Sequence, residues 1–198
     1  DIVDIKSDRL HPIKKIKKPL ANHSISLKTA FFSLIIIFIF VCLSFFLNFN
    51  LFYHLAIYFF LNFFYSFFLK KIAIIDLLIL SFGYVIRLDA GSVVVDVKTS
   101  TLMIFTIFSL AFFILSLKRI GELSLKNNNR QSLNFYSKNL LNFLITFSSV
   151  SFLIFFTIYA TLVNSLLFYI EPLVIYFFYR YYKIAIKNSA GEFPIDII

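Results

Sequence analysis

Charged residues, cysteine and histidine are scarce in this 198-residue sequence. Only 15% of the residues are charged, whereas an average globular protein has about 25%. The single cysteine, Cys42, excludes a disulfide framework and a cysteine-based zinc site. The three histidines form no pair with metal-ligand spacing. GxSxG, Walker and GxGxxG motifs are also absent, so serine hydrolase, ATPase and Rossmann-type functions have no support.

Apolar residues, in contrast, make up 60% of the chain, and 29 residues are phenylalanine. A soluble core of this size cannot bury so much apolar surface, and a large exposed apolar surface leads to aggregation. Most of the chain is therefore predicted to face lipid. This excludes a soluble domain, a disordered tail and a nucleic-acid-binding domain, although the net charge is +9.

Several apolar windows are long enough to cross a bilayer, whose core of about 30 Å requires roughly 20 helical residues. They are apolar on all sides, whereas barrel strands alternate apolar and polar residues, so helices are predicted. The sequence therefore indicates an all-α, polytopic transmembrane helix bundle with about six spans. The windows cover residues 29–49, 51–69, 73–95, 100–117, 140–160 and 166–182.

The basic residues indicate the orientation of these spans. If the amino-terminal end is cytoplasmic, every lysine and arginine except Arg87 and Lys98 falls on the inner side, as the positive-inside rule requires. The basic excess therefore needs no nucleic acid to explain it. The predicted organisation is a cytoplasmic segment at 1–28, four spans within 29–117, a second cytoplasmic segment at 118–139, two spans within 140–183 and a final cytoplasmic stretch at 184–198.

The first cytoplasmic segment begins with three aspartates, Asp1, Asp4 and Asp8. On a helix this spacing brings the three carboxylates to one face, where they repel one another. A divalent cation would remove that repulsion, and Mg²⁺ prefers such oxygen ligands. The alternative is an acidic helix start that complements the helix dipole.

A basic cluster follows these aspartates directly. It serves either as the cytoplasmic topology signal or as the set of cations that holds the phosphate oxygens of a metal-bound diphosphate. The cluster consists of Lys14, Lys15, Lys17 and Lys18.

The second cytoplasmic segment begins with Lys118, Arg119 and, three residues later, Glu122. Lys118 and Glu122 are four residues apart, a spacing that allows a simple surface pair. The functional alternative is that two cations and a carboxylate stand at the mouth of the fourth span and face the aspartate segment.

The third predicted span contains charged residues, which raise the free energy of insertion into a membrane and therefore indicate a functional site. Arg87 and Asp89 do not share a helix face, so each is expected to pair with other groups. Arg87 either ties two helices together or lines a polar cavity. Asp76 lies near the inner surface, where it serves catalysis or anchors Lys70 or Lys71.

Four stretches together resemble one family, the UbiA-type intramembrane transferases, and within it the polyprenyl-phosphate phosphoribosyltransferase branch. The first stretch resembles the family's first aspartate-rich motif, although the asparagine that usually precedes that motif is absent. The resemblance extends in order over nearly the whole chain. The stretches are Asp1 to Pro19, Asp76 to Gly91 with Tyr84 and Arg87, Lys118 to Leu123, and Ala190 to Asp196.

The family fold has nine helices with a polar cap over a cavity that opens to the bilayer. The resemblance implies that the six predicted spans are helices three to eight. The chain starts with aspartate rather than methionine, and it is expected to be part of a longer protein that adds two helices before it and one after it. The expected location is a bacterial cell membrane, with the active site on the cytoplasmic side.

The second motif decides between the branches. Members that use prenyl diphosphates usually carry DxxxD there, whereas this chain carries Lys118, Arg119 and Glu122. The resemblance therefore implies transfer of 5-phosphoribose from 5-phosphoribose 1-diphosphate to a polyprenyl phosphate. Because both substrates are anionic, additional cations are electrostatically favourable.

The resemblance also implies residue roles. Asp1 and Asp4 hold Mg²⁺ on the leaving diphosphate, and Asp8 binds a second metal or the ribose hydroxyls. Among the substrate-binding candidates, the lysines and arginines of the two cytoplasmic segments contact phosphates and Glu122 orients one of these phosphates, whereas Tyr84 and Arg87 are candidates without an assigned contact. These candidates are Arg9, Lys14, Lys18, Tyr84, Arg87, Lys118, Arg119 and Glu122.

Two alternative functions stay open. One is a prenyltransferase of the same family that moves a prenyl group onto an aromatic or lipid acceptor. The other is a non-catalytic membrane protein or an inactive fragment. The sequence also leaves open whether the protein forms a homo-oligomer.

Overall fold

The computed structural model describes residues 2–3, 5–10, 14–124, 131–163 and 165–188. These ranges contain eight α-helices, three short 3₁₀-helices at 69–71, 131–135 and 165–170, and no β-strand. The predicted all-helical fold is confirmed. The α-helices are α1 (Ile5–Leu10), α2 (Lys14–Lys17), α3 (Leu27–Leu47), α4 (Phe49–Phe67), α5 (Ile75–Val94), α6 (Thr101–Ser124), α7 (Lys138–Val163) and α8 (Glu171–Asn188).

The chain divides into two compact units, residues 1–68 and residues 69–198. This division does not test which segments lie on which side of a membrane, so the predicted assignment of segments to the two sides stays a prediction. Each unit has its own packing, and each is described separately below.

In the first unit, α3 and α4 form a helical hairpin around Asn48. The Asn48 backbone N–H donates to Ser44 at the end of α3, and its side-chain oxygen accepts from the N–H groups of Asn50 and Leu51. One residue therefore caps two helices, which satisfies backbone groups that the helix ends leave open. Ser44 is the one buried residue of α3. The apolar side chains of this helix are largely exposed, as expected of a helix in contact with lipid.

In the second unit, α6 packs against α5, α7 and α8. Its core contains two clusters, one around Leu77, Phe112 and Leu141 and one around Leu117 and Ile145.

Serines between these helices are buried and donate to carbonyls of their own helix, as Ser81, Ser116 and Ser148 do. Such small residues let apolar helices approach each other closely.

The structure has a helix at each of the six predicted windows. Within the described residues, four of these helices are long and apolar enough to cross a membrane, namely α3, α5, residues Thr101–Leu123 of α6, and α7. The other two, α4 and α8, are less apolar than expected. The helix α4 contains the polar residues Asn50, His54 and Asn62, and α8 contains the charged residues Arg180 and Lys183.

The last helix also differs in position from its predicted window. Residues 165–170 form a 3₁₀-helix, and α8 begins only at Glu171. Pro172 therefore lies in the first turn, where its missing N–H costs nothing. An acidic residue at a helix start also complements the helix dipole.

Candidate functional site

A buried cluster of charged and polar side chains lies in the second unit, around Arg119. Arg119 is carried by the last turns of α6 and is 1% exposed. Its Nε donates to Asp76 Oδ2 at 2.9 Å, and its Nη1 donates to Glu122 Oε2 at 2.9 Å. Both carboxylates are almost completely buried. The guanidinium is therefore held between a carboxylate of α5 and a carboxylate of its own helix.

Tyr136 completes this cluster from the segment between α6 and α7. Its hydroxyl donates to Asp76 Oδ1 and accepts from the Ile74 backbone N–H at 2.7 Å. Burial raises the pKa of Tyr136 above its ordinary value, and the hydrogen bond to Asp76 and the negative charge of that residue raise it further. The phenol therefore stays protonated and remains a donor at ordinary pH. We call Asp76, Arg119, Glu122 and Tyr136 the Arg119 cluster.

The backbone next to this cluster has an unusual conformation. Ile74 has φ of 67°, the left-handed region, and it precedes α5 without a side-chain cap. A β-branched residue rarely adopts this conformation, and such residues are often found at functional sites. The Tyr136 hydroxyl accepts the Ile74 N–H, so the cluster also supports the start of α5.

The structure thus brings together two of the predicted site residues, Arg119 and Glu122. It adds two residues that were not among the site candidates. Asp76 was expected to serve catalysis or to anchor a lysine of the preceding loop, and in the structure it accepts from both Arg119 and Tyr136. Tyr136 was not singled out, because no spacing rule connects it with residues 60 positions away. Lys118, the neighbour of Arg119, is partly buried.

Tyr84 and Arg87 also lie together, one helical turn apart on α5. The Arg87 guanidinium carbon is 4.4 Å from the centre of the Tyr84 ring, and Nε donates to the Gly83 carbonyl. Asp89 instead accepts from Ser92 and from Thr99 beyond the helix end. The expectation that Arg87 and Asp89 pair with different groups is thereby confirmed. The substrate-binding roles of Tyr84 and Arg87 stay predictions.

In the first unit, Asp8 pairs with Lys18. Lys18 Nζ lies 2.8 Å from Asp8 Oδ2, and the two side chains are 31% and 9% exposed. The turn after α2 holds Lys18 in place, since its carbonyl accepts from the N–H groups of Ala21 and Asn22. The carboxylate and the ammonium thus neutralise each other in a partly solvated setting.

Arg9 is exposed and lines an open cavity of about 540 Å³ within the first unit. His23 approaches it, with Arg9 Nη2 3.5 Å from His23 Nδ1. The two cations on this cavity, Arg9 and Lys15, create a positive region that favours an anion. The lining residues are Arg9, Lys15, Ile16, Ala21, Asn22 and His23.

The proposed metal ligands are only partly within the described ranges. Asp1 and Asp4 lie outside these ranges, as does the side chain of Lys14, and Asp8 is the one described carboxylate of the motif. Among the residues that the structure describes, no three His, Cys, Asp or Glu side chains form a group able to hold a metal ion. Asp8 itself already has a cation beside it.

Comparisons with known proteins agree with the resemblance in the sequence. The model of the UbiA prenyltransferase family matches residues 1–191. A decaprenyl-phosphate phosphoribosyltransferase of Mycolicibacterium smegmatis is 28% identical over 171 residues, which cover 81% of this chain and 52% of that protein. The chain thus spans about half the length of this relative. With its four apolar helices of spanning length, the chain is an integral membrane protein and belongs to the UbiA prenyltransferase family.

Proposed function

We propose that the protein transfers 5-phosphoribose from 5-phosphoribose 1-diphosphate to a polyprenyl phosphate and releases diphosphate. The observation that carries this proposal is the second motif, in which this chain has Lys118, Arg119 and Glu122 where prenyl-diphosphate-using members usually have DxxxD, so that a lysine stands at the position of the first carboxylate. The name of the mycobacterial relative supports the same reaction. A site for two phosphorylated substrates needs cations, because each substrate brings several negative charges.

The leaving diphosphate is the group that most needs stabilisation in this reaction. Asp1 and Asp4 are proposed to hold Mg²⁺, whose charge offsets the charge of the diphosphate as it departs. Asp8 has two proposed roles, a second metal ligand or an acceptor for ribose hydroxyls. The ammonium group 2.8 Å away from Asp8 favours the second role, since it repels a metal ion but not a hydroxyl.

The cations of the first unit bind phosphate oxygens in this proposal. Arg9 lies on the basic cavity together with Lys15 and His23. Lys18 is the partner of Asp8, and Lys14 belongs to the same basic cluster in the sequence. Binding of the donor phosphates at these cations places the leaving group on the amino-terminal segment.

In the second unit, Lys118 is proposed to contact a phosphate, either the 5-phosphate of the donor or the lipid phosphate. The acceptor phosphate is already an anion and requires no strong general base. Tyr84 and Arg87 are proposed to contact substrate from α5. Because Arg119 and Glu122 are buried, we propose a different role for them from the one that the resemblance implies. They fix the conformation of the second motif and do not contact a substrate phosphate.

A labelling experiment tests this function. The full-length protein in nanodiscs receives Mg²⁺, a polyprenyl phosphate and either ribose-labelled 5-phosphoribose 1-diphosphate or a labelled prenyl diphosphate with an aromatic acceptor. The proposal predicts ribose label in the organic phase, a requirement for Mg²⁺, and loss of transfer in Asp4→Asn but not in Glu171→Gln. Consumption of the prenyl donor alone would support the prenyltransferase alternative, and no reaction with either donor would support a non-catalytic protein.

The proposed location of the site is the cytoplasmic side of a bacterial cell membrane. The distribution of basic residues supports this orientation. Because Cys42 is the single cysteine, a Cys42→Ser background allows labelling at one chosen position. A membrane-impermeant thiol reagent applied to intact cells should label Lys98→Cys but not Lys138→Cys. The reverse pattern would contradict the orientation.

A further inference from the structure

We propose that Asp76 and Tyr136 are positioning residues for the transfer reaction. They hold Arg119, and through it Glu122, in one fixed orientation, so that Lys118 on the same turn of α6 presents its ammonium group to a substrate phosphate. This inference rests on the proposed function. It gives Asp76 a specific role, and it assigns a role to Tyr136, which lies outside the predicted motifs.

The first argument is the geometry around Arg119. Its Nε and Nη1 donate to two separate carboxylates, Asp76 and Glu122, and this fixes the plane of the guanidinium. Asp76 is itself fixed, because Arg119 occupies one carboxylate oxygen and Tyr136 the other. Neither group can rotate without breaking a hydrogen bond to a charged partner.

The second argument is burial. Asp76 is 0% exposed, Arg119 and Glu122 are 1% exposed, and Tyr136 is 6% exposed. A guanidinium so enclosed is poorly placed to bind an incoming phosphate, whereas the neighbouring Lys118 is only partly buried. Successive residues on a helix point about 100° apart, so the fixed face of α6 and the face that carries Lys118 differ.

The third argument is connectivity. The Arg119 cluster joins the start of α5, the end of α6 and the segment at 131–136 that precedes α7. It thereby ties down both ends of the second cytoplasmic segment. A purely structural contact needs no charge here, because apolar side chains in place of a buried ion pair are often equally stable. Positioning of a reactive segment, in contrast, requires hydrogen bonds that fix the orientation of its side chains, because a misplacement of about 1 Å lowers the reaction rate strongly.

The test compares steady-state kinetics of four single variants and one double variant, Asp76→Asn with Tyr136→Phe, of the full-length protein in nanodiscs. Tyr136→Phe removes the hydroxyl from the cluster, and Asp76→Asn removes the carboxylate charge. Tyr176→Phe is a matched control at an exposed tyrosine of α8. Glu171→Gln is a matched control at a carboxylate that accepts from the Thr157 hydroxyl.

We expect Tyr136→Phe and Asp76→Asn to lower kcat about 10- to 100-fold per folded molecule, with the KM for the ribosyl donor changed less than about threefold. The controls should match the wild type. Because Tyr136 acts through Asp76, the double variant should be no slower than the slower single variant. A role confined to folding would reduce the folded fraction but leave kcat per folded molecule unchanged.

The outcomes separate this inference from the function on which it rests. A wild type that transfers no ribose label overturns the proposed function, and the positioning role with it. A wild type that transfers label while both cluster variants retain wild-type kcat overturns the positioning role alone. Multiplicative losses in the double variant would also overturn it, since they would show that the two residues act independently.

Discussion

The ion pair of Lys18 in the first unit and the two ion pairs of Arg119 in the second unit have nearly the same lengths, but their surroundings differ greatly. Lys18 lies 2.8 Å from Asp8, and the lysine side chain is 31% exposed. Arg119 lies 2.9 Å from Asp76 and 2.9 Å from Glu122, and none of these side chains is more than 2% exposed. Water screens the first pair strongly and the second one very little.

This difference separates a pair that can exchange partners from one that cannot. A partly solvated ion pair contributes little to stability, so Lys18 loses little when it turns from Asp8 to a substrate phosphate. The buried Arg119 cluster is costly to disturb, because each removed partner leaves a charge in a low-dielectric environment. We therefore assign substrate exchange to the first unit and a fixed framework to the Arg119 cluster.

The largest predicted effect is on stability, from Arg119→Met. The substitution leaves Asp76 and Glu122 buried without the guanidinium, and we expect a loss of about 3–5 kcal/mol in the free energy of unfolding. Equilibrium unfolding in detergent measures this loss, with the exposed Arg180→Met as the control. A change below about 1 kcal/mol would show that the buried cluster behaves like a surface pair.

A second prediction is a loss of activity that leaves the stability of the fold unchanged. Asp4→Asn removes a proposed metal ligand, and we expect transfer of phosphoribose to fall about 100-fold or more. The free energy of unfolding should stay within about 0.5 kcal/mol of the wild type, as is usual when a substitution removes a ligand-binding group and no contact that stabilises the fold. Rates and unfolding of the same preparation provide both values. Equal losses in Asp4→Asn and Arg119→Met on both measures would remove the distinction between the two regions.

A third prediction is the pH dependence of Tyr136. Tyr136→Phe should lower the free energy of unfolding by about 2 kcal/mol near neutral pH, because it removes a hydrogen bond to a charged carboxylate. The folded-state pKa of Tyr136 is raised, so the contribution of this group is fully present below the ordinary tyrosine pKa of about 10. It is lost as the pH rises above that value, because the unfolded phenol ionises first.

The measurement for Tyr136 is the difference between wild type and Tyr136→Phe across pH 7 to about 11. Other tyrosines titrate in both proteins and cancel in this difference. The difference should be constant up to about pH 9 and shrink above pH 10. A difference that grows with pH would contradict the assignment of Tyr136 as the donor to Asp76.

The smallest predicted effect is on the pair of Asp8 and Lys18, in which the lysine side chain is partly exposed. Lys18→Gln should change the free energy of unfolding by less than about 1 kcal/mol, and added salt should reduce even that change. The same substitution should raise the KM for the ribosyl donor, because Lys18 is proposed to bind its phosphates. Lys28→Gln at the start of α3 is the control. A large stability loss that salt does not reduce would show that Asp8 and Lys18 are also framework residues.

Local sequence features predicted much of the fold. Apolar windows identified all six long helices, and α5 at Ile75–Val94 agrees closely with the predicted window 73–95. The last helix, α8, begins at Glu171, a few residues after the start of its predicted window 166–182. Among the described residues, four of these helices are long and apolar enough to cross a membrane, whereas α4 and α8 contain more polar residues.

The Arg119 cluster could be predicted only in part. The pairing of Arg119 with Glu122 is local, and a spacing of three residues on one helix allows it, but the partner expected for Glu122 was Lys118. Asp76 and Tyr136 are 43 and 60 residues away from their partners in the sequence. Such contacts depend on how α5, α6 and the segment at 131–136 pack, and no single-segment pattern contains that information. The aspartate motif, in contrast, was evident from spacing, although Asp1 and Asp4 lie outside the described residues.

The most direct test of the central claim follows the two ends of the donor in one reaction. The full-length protein in nanodiscs receives Mg²⁺, a polyprenyl phosphate and 5-phosphoribose 1-diphosphate with ¹⁴C in the ribose and ³²P in the β-phosphate. Phosphoribosyl transfer predicts ¹⁴C in the lipid extract and an equal amount of ³²P released to water as diphosphate. Both labels remaining together in intact aqueous donor would contradict phosphoribosyl transfer.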